Sequence, residues 1–166
     1  MKYPLDRICV KSGILCPRCQ KLVDSGIVNE YEIPVMKHLI ELEETKYKEL
    51  RQGQYHKAYK SNDIMVIVVE GIGNSKVLDK ASKELSHSLG LRVKIVEKTS
   101  DLRRLIEQII SPATLLGVNT LWLPDGSELM VVRVSKRDQR IIGAKQHDYE
   151  KIIKQIVGRQ VRIRYE

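Results

Sequence analysis

The sequence predicts an α+β chain: a short cysteine-containing N-terminal module, residues 1–30, followed by two copies of an αββααβ unit, residues 31–98 and 99–166. Three observations predict it. Cys9, Cys16 and Cys19, the chain's only cysteines, all fall within the short stretch CVKSGILCPRC. Beyond residue 30, apolar stripes with helical period alternate with β-branched runs of strand length. The order of these elements then starts again near Ser100.

In the first copy, EYEIPVMKHLIELEETKYKEL reads as helix, because Val35, Met36, Leu39, Ile40 and Leu42 share one side. Pro34 is tolerated in a first turn, where its missing N–H has no partner to lose. GQYHKAYKS and IMVIVVE follow as strands, the second bounded by Asn62-Asp63 and Gly71. KVLDKASKELSHSLG sets Leu78, Ala81, Leu85 and Leu89 on one helical face and stops at Gly90, a residue suited to the left-handed cap. RVKIVEK is the next strand.

In the second copy, Ser100 is the expected cap of SDLRRLIEQIIS, whose stripe is Leu102, Leu105, Ile106 and Ile109, with Pro112 just past its end. LLGVNTLWLP and ELMVVRVS read as strands joined through Pro124-Asp125-Gly126, with Trp122 expected inside between Leu121 and Leu123. HDYEKIIKQIVG aligns Tyr149, Ile152, Ile153 and Ile156 and ends at Gly158; VRIRYE closes the chain as a strand. LGLRVKIV and VGRQVRIR superpose without gaps, Gly90 on Gly158, Val93 on Val161, Lys94 on Arg162 and Ile95 on Ile163, a period of about 68 residues. A helix–glycine–strand step is common by itself. Repetition of the whole element order is what argues for duplication.

A hydrophobic content of 42% is enough for a real core. No run approaches the roughly 18 apolar residues of a membrane span, and MKYPLDRICV lacks the apolar centre of a signal peptide. The expectation is a soluble cytoplasmic protein without a membrane partner, and an odd number of crowded cysteines suits a reducing compartment. The net charge of +8 and pI near 9.4 make a polyanion the expected partner. The excess is greatest between Arg133 and Arg164, where ten basic residues face only Asp138, Asp148 and Glu150.

Helix, two strands, helix-turn-helix and strand is the order of a type II KH domain, a single-stranded-RNA module in which a GxxG loop between the later helices clamps the backbone. Gly143-Ala144-Lys145-Gln146 fills that position in the second unit, and Ser75 to Asp79 stands opposite it in the first. Neither is a complete GxxG. Gly71-Ile72-Gly73-Asn74 lies just upstream and is expected to form a turn at the strand's end. The candidate RNA-binding residues are Lys76, Lys80 and Lys83, which recur with His87 opposite an apolar stripe. To these are added Arg133, Lys136, Arg137, Arg140, Gly143 and Lys145, and then Arg162 and Arg164, which alternate with Val161, Ile163 and Tyr165. A solvated face is the plain alternative for any single lysine; clustering sets these apart.

Cys16-Pro17-Arg18-Cys19 has the spacing that brings two thiolates to one tetrahedral Zn2+, and Cys9 is a third ligand seven residues earlier. Asp6 completes the set by repeating the same spacing ahead of Cys9; Asp24 and His38 are the other choices for a fourth ligand. A thioredoxin-like reading is weaker, since that CxxC opens a helix after a strand. A nucleophilic cysteine needs a base and an oxyanion site, and no catalytic constellation, P-loop or dinucleotide fingerprint is legible, so a non-enzyme is expected.

On KSGILCPRCQ with LVDSG, on VKIVEKTSDLRRLIEQIISPATLLGVNTLWLP across the join, and on RVSKRDQR, the chain resembles the archaeal NusA-like proteins. These are short tandem-KH factors associated with transcription elongation and termination, and the resemblance is to a variant group with a cysteine-containing N-terminal extension. It runs over most of the chain and implies RNA binding within the transcription apparatus. The alternative is an adaptor whose degenerate KH units dock on RNA polymerase or the ribosome.

Overall fold

A computed structural model describes all residues from Met1 to Glu166. It is a mixed α and β structure with two three-stranded sheets, and it divides into two units. The first comprises residues 1–58 and 67–98; the second comprises residues 59–66 and 99–166. No helix is long and apolar enough to cross a membrane.

The first unit opens with two short helices, α1 (Arg7–Ser12) and α2 (Pro17–Asp24). Ion pairs from Arg7 and Lys11 to Glu44, the latter at 2.6 Å, tie α1 to the longer α3 (Glu32–Thr45). Buried Glu43 of α3 takes the Met1 amine at 2.8 Å and pairs with Arg7. A 3-10 turn over Lys48–Gln52 then leads into β1 (Gln54–Ser61) and β2 (Ile64–Glu70), whose joined ends, residues 59–66, count with the second unit, and α4 (Ser75–Leu89) and β3 (Arg92–Glu97) complete the first. Its sheet runs in the order β1-β2-β3. Val35, Met36, Leu39 and Ile40 of α3 and Leu78, Ala81 and Leu85 of α4 are buried, which their helical spacing predicts; Leu89 at the end of α4 is only half-buried, and Val77 joins the core instead. β2 is buried at six consecutive positions, the pattern of a central strand covered on both faces.

The second unit consists of α5 (Leu102–Ile110), β4 (Leu115–Trp122), β5 (Glu128–Val134), a 3-10 turn at Lys136–Asp138, α6 (Gln139–Ile142), a second 3-10 turn at Gly143–Lys145, α7 (Gln146–Val157) and β6 (Gln160–Tyr165). β5 lies in the middle, antiparallel to β4 and parallel to β6. A parallel step cannot be made by a tight turn, and α6 with α7 supply the crossover. Asp148 of α7 is buried and accepts from Ser61 Oγ at 2.9 Å and Asn62 Nδ2 at 2.7 Å, which explains an acidic residue inside.

Three sequence expectations change. The first unit is αββαβ: residues 71–74 pass from β2 to α4 without a helix, whereas in the second unit residues 135–145 make the step from β5 to α7 and include α6. The cause is local, since Gly71 and Gly73 hold φ of 83° and 66° and the Glu97 carboxylate binds the amides of Ile72 at 2.8 Å and Gly73 at 3.1 Å. The cap of α5 is Asp101, whose carboxylate accepts from Arg103 N–H at 3.1 Å, rather than Ser100. Trp122 is 72% exposed: burial fades along β4, and Trp122 pairs with Glu128 beside the hairpin turn.

Candidate metal centre and nucleic-acid interface

Asp6, Cys9, Cys16 and Cys19 each offer one ligand atom, and these atoms all lie within 4.8 Å of one another. Local chain geometry brings them together. Asp6 precedes α1, and that helix ends at Gly13, whose left-handed φ of 77° returns its N–H to Cys9 O at 2.9 Å. The reversed chain then aims Cys16 N–H at Cys9 Sγ, 3.3 Å away. Cys16 caps α2, with Pro17 in the first turn and Cys19 N–H donating to Cys16 Sγ at 3.5 Å. Asp6 N–H donates to Cys19 Sγ at 3.3 Å, so each sulfur accepts a main-chain amide.

Two thiolates bound tetrahedrally at the usual Zn–S length sit about 3.8 Å apart. A set already within 4.8 Å can close on a metal ion with shifts of about 1 Å. The two CxxC thiols differ in how readily they give up the proton that a metal would displace. The amide and thiol of Cys19 hold the Cys16 thiol below its ordinary value, whereas burial pushes Cys19 up to about 11. Arg18 Nη2 donates to Asp6 Oδ1 at 2.6 Å and, with Cys16, holds that carboxyl below the usual range. The other oxygen, Oδ2, faces Cys16 Sγ at 3.5 Å. Arg18 therefore orients the carboxylate from outside while leaving one oxygen directed into the thiols. Asp24, which accepts from Gln20 Nε2 at 2.8 Å, and His38, beside Glu41, lie outside the cluster. Of the three proposed fourth ligands, the fold brings in Asp6.

The basic candidates separate into accessible and engaged groups. Lys76, Lys80 and Lys83 are exposed on α4, opposite buried Val77, Leu78 and Ala81. Lys136 and Arg137 after β5, Arg140 in α6, and Arg162 and Arg164 on β6 are exposed too. Gly143, between α6 and α7, has φ 54° and ψ −136°, a conformation open to glycine and strained for other residues. Lys145 pairs with Asp63, and half-buried Arg133 pairs with Glu166 at 3.3 Å while lying over Gly117, where a Cβ would collide with the guanidinium. Those two charges are already used within the fold.

A groove in the second unit is lined by Leu129, His147, Lys151, Lys154 and Arg162, with Asp125 and Glu150 also on its wall. Lys151 and Lys154 were not singled out from sequence. The signal was present, since both are exposed opposite buried Ile152 and Ile153, and the repeat aligns Lys151 with Lys83.

No protein-family model matches the sequence, and no curated protein matches it. Among solved structures, the crystal structure of APE1850 is similar at 18% identity and a TM-score of 0.52, over 78% of this chain and 96% of that one. At this identity the likeness is one of fold.

Proposed function

We propose that this chain is a non-catalytic RNA-binding protein of the transcription apparatus, of the archaeal NusA-like kind, with single-stranded RNA lying along the basic surface of tandem KH-like units. One observation carries the reading. In the second unit the mixed sheet and the α6–α7 step put Gly143 between two helices, near exposed Lys136, Arg137 and Arg140 in sequence, and α7 and β6 add a groove lined by Lys151, Lys154 and Arg162. A KH module needs a glycine-containing helix-to-helix turn and cationic surroundings for the nucleic-acid backbone. The N-terminal module adds a structural Zn2+ site formed by Cys9, Cys16, Cys19 and Asp6; three soft thiolates and one carboxylate in a closed set suit that ion best.

Fluorescence anisotropy of a labelled single-stranded RNA tests it, comparing wild type with the Lys136→Ala, Arg137→Ala, Arg140→Ala triple variant across a salt series. Affinity falls at least tenfold in the variant, and the slope of log affinity against log salt drops by about 2, near 0.7 for each lost phosphate contact. Equal affinities and equal slopes overturn the reading.

The adaptor reading is favoured by a different feature. Glu97 fills the amides of the first unit's glycine turn, and Lys145 is held by Asp63, so two places where a phosphate would enter carry the chain's own carboxylates. Recovery of RNA polymerase or ribosomal proteins from nuclease-treated lysate, with no RNA affinity of its own, is the outcome that would favour it.

A further inference from the structure

Trp122 is the chain's only tryptophan, and most of it stands in water. An exposed leucine is ordinary, whereas an exposed indole leaves one of the largest apolar side chains without a partner. Its place in the sheet accounts for the exposure. β4 is an open edge, with β5 on one side and no strand on the other. The register sets Thr120 opposite Met130 and Met130 opposite Val161, so Trp122, two residues beyond Thr120, stands on that same face. Met130 and Val161 are buried, while Thr120 and Trp122 are exposed, so the covering of this face stops short of the end of β4.

The pleat decides what kind of surface this is. Leu121, the exposed residue before Trp122, belongs to the opposite face of the strand. On the indole's own face stand Thr120 and, directly across on β5, Glu128, whose Oε2 meets Arg159 Nε at 3.5 Å. The apolar side chains therefore do not merge into the broad patch that a protein partner covers. A lone ring with a neutralised ion pair beside it suits a single flat ligand.

Charge nearby names that ligand. The hairpin from β4 to β5 sends Leu123 and Leu129 into the wall of the groove that also holds Lys151, Lys154 and Arg162. Unlike Lys145 and Arg133, these three cations are held by no acid of the chain. The two acids on the wall are turned to the main chain, Asp125 to the Ser127 amide at 2.9 Å and Glu150 to that of Ile163 at 3.0 Å. Free cations along a groove and an unpartnered aromatic ring on the hairpin that forms its wall are the two parts of a single-stranded nucleic-acid site.

We propose that Trp122 is a base-stacking residue. The inference rests on the RNA-binding reading above: a strand whose phosphates follow Lys151, Lys154 and Arg162 lays one unpaired base on the indole where it leaves the groove over the hairpin. Every base has a flat face, so the contact adds affinity with little choice of sequence. It is made by the β4–β5 hairpin, and the second unit then holds RNA at a place other than the Gly143 turn.

A single tryptophan makes the test direct, because intrinsic fluorescence reports this site alone. A single-stranded oligoadenylate of about 12 nucleotides is titrated into wild type, Trp122→Phe, Trp122→Ala and the Lys151→Ala, Lys154→Ala pair, with anisotropy of a labelled copy giving affinity. RNA quenches the wild-type indole. Trp122→Ala loses about tenfold in affinity with an unchanged salt slope, since the ring carries no charge, and Trp122→Phe keeps most of the affinity. The lysine pair instead lowers the slope by about 1.4. Trp122 lies outside the core, so its replacement leaves the fold intact. RNA binding with an unquenched indole, or with equal affinity in Trp122→Ala, overturns this inference and leaves the RNA-binding reading standing. A wild type that binds no RNA overturns both. Emission that shifts to the blue with protein concentration alone shows a second copy covering the ring, and it too overturns the assignment.

Discussion

Ser82 and Glu150 perform one task in the two units. Ser82 Oγ accepts from Ile95 N–H at 2.9 Å, and Glu150 Oε1 accepts from Ile163 N–H at 3.0 Å. The separation of the acceptors equals that of the amides, and it is also the separation of Gly90 and Gly158, the left-handed caps of α4 and α7. A helix side chain thus closes a strand's outer edge at the same point of both units, through a hydroxyl in the first and a carboxylate in the second.

The bond is predicted to matter for stability in both places. Ser82→Ala leaves the buried Ile95 amide without an acceptor and costs about 1–2 kcal/mol. Glu150→Ala costs less, since Glu150 is only half-buried, and Glu150→Gln, which keeps an acceptor oxygen, less still. Urea unfolding of the three variants ranks them; equal midpoints for Ser82→Ala and wild type would refute the assignment.

The metal centre predicts about one Zn2+ per chain, released with a chromogenic chelator and accompanied by a fall in Tm. Cys19→Ser removes a buried ligand and abolishes retention of the ion. Asp6→Ala keeps three thiolates and releases the ion faster without abolishing binding. Retention unchanged in Asp6→Ala would show that the carboxylate stands beside the site and does not complete it.

On the proposed RNA-binding reading, the two units contribute unequally to affinity. The first unit's glycine turn is filled by Glu97, while Gly143 of the second has no such carboxylate among its bonds. The Lys76→Ala, Lys80→Ala, Lys83→Ala variant therefore loses less affinity than the variant lacking Lys136, Arg137 and Arg140, in parallel anisotropy titrations. The reverse order would move the main contact to α4.

Asp138 gives the second unit a defined acid sensitivity. Its carboxylate accepts from Thr114 N–H at 2.9 Å, and this bond holds its pKa below the ordinary carboxylate value. A depressed folded-state pKa contributes stability that is complete above the unfolded value, near 3.9, and is lost as pH falls through the folded one. Asp138→Asn should flatten the part of the Tm-against-pH curve below about pH 4 that this group governs. A superimposable acid limb in the variant would count against it.

Much of the architecture follows from local sequence. Periodicity located the apolar faces of α3, α4, α5 and α7, glycine ended α4 and α7, and residue spacing selected Cys9, Cys16 and Cys19 with Asp6 among three possible fourth ligands. These features are legible because each is set by residues within a turn or two of one another. The choice of Asp6 over Asp24 and His38 required the reversal at Gly13, which brings α1 back against α2. The capture of Lys145 by Asp63 and of Arg133 by Glu166 joins residues far apart in the chain, so their charge looked available in the sequence and is spent in the fold. The exposure of Trp122 and the open edge at β4 were likewise decided by tertiary structure: an apolar strand reads the same whether neighbours cover it or not, and only sheet order and packing determine which edge is left to water.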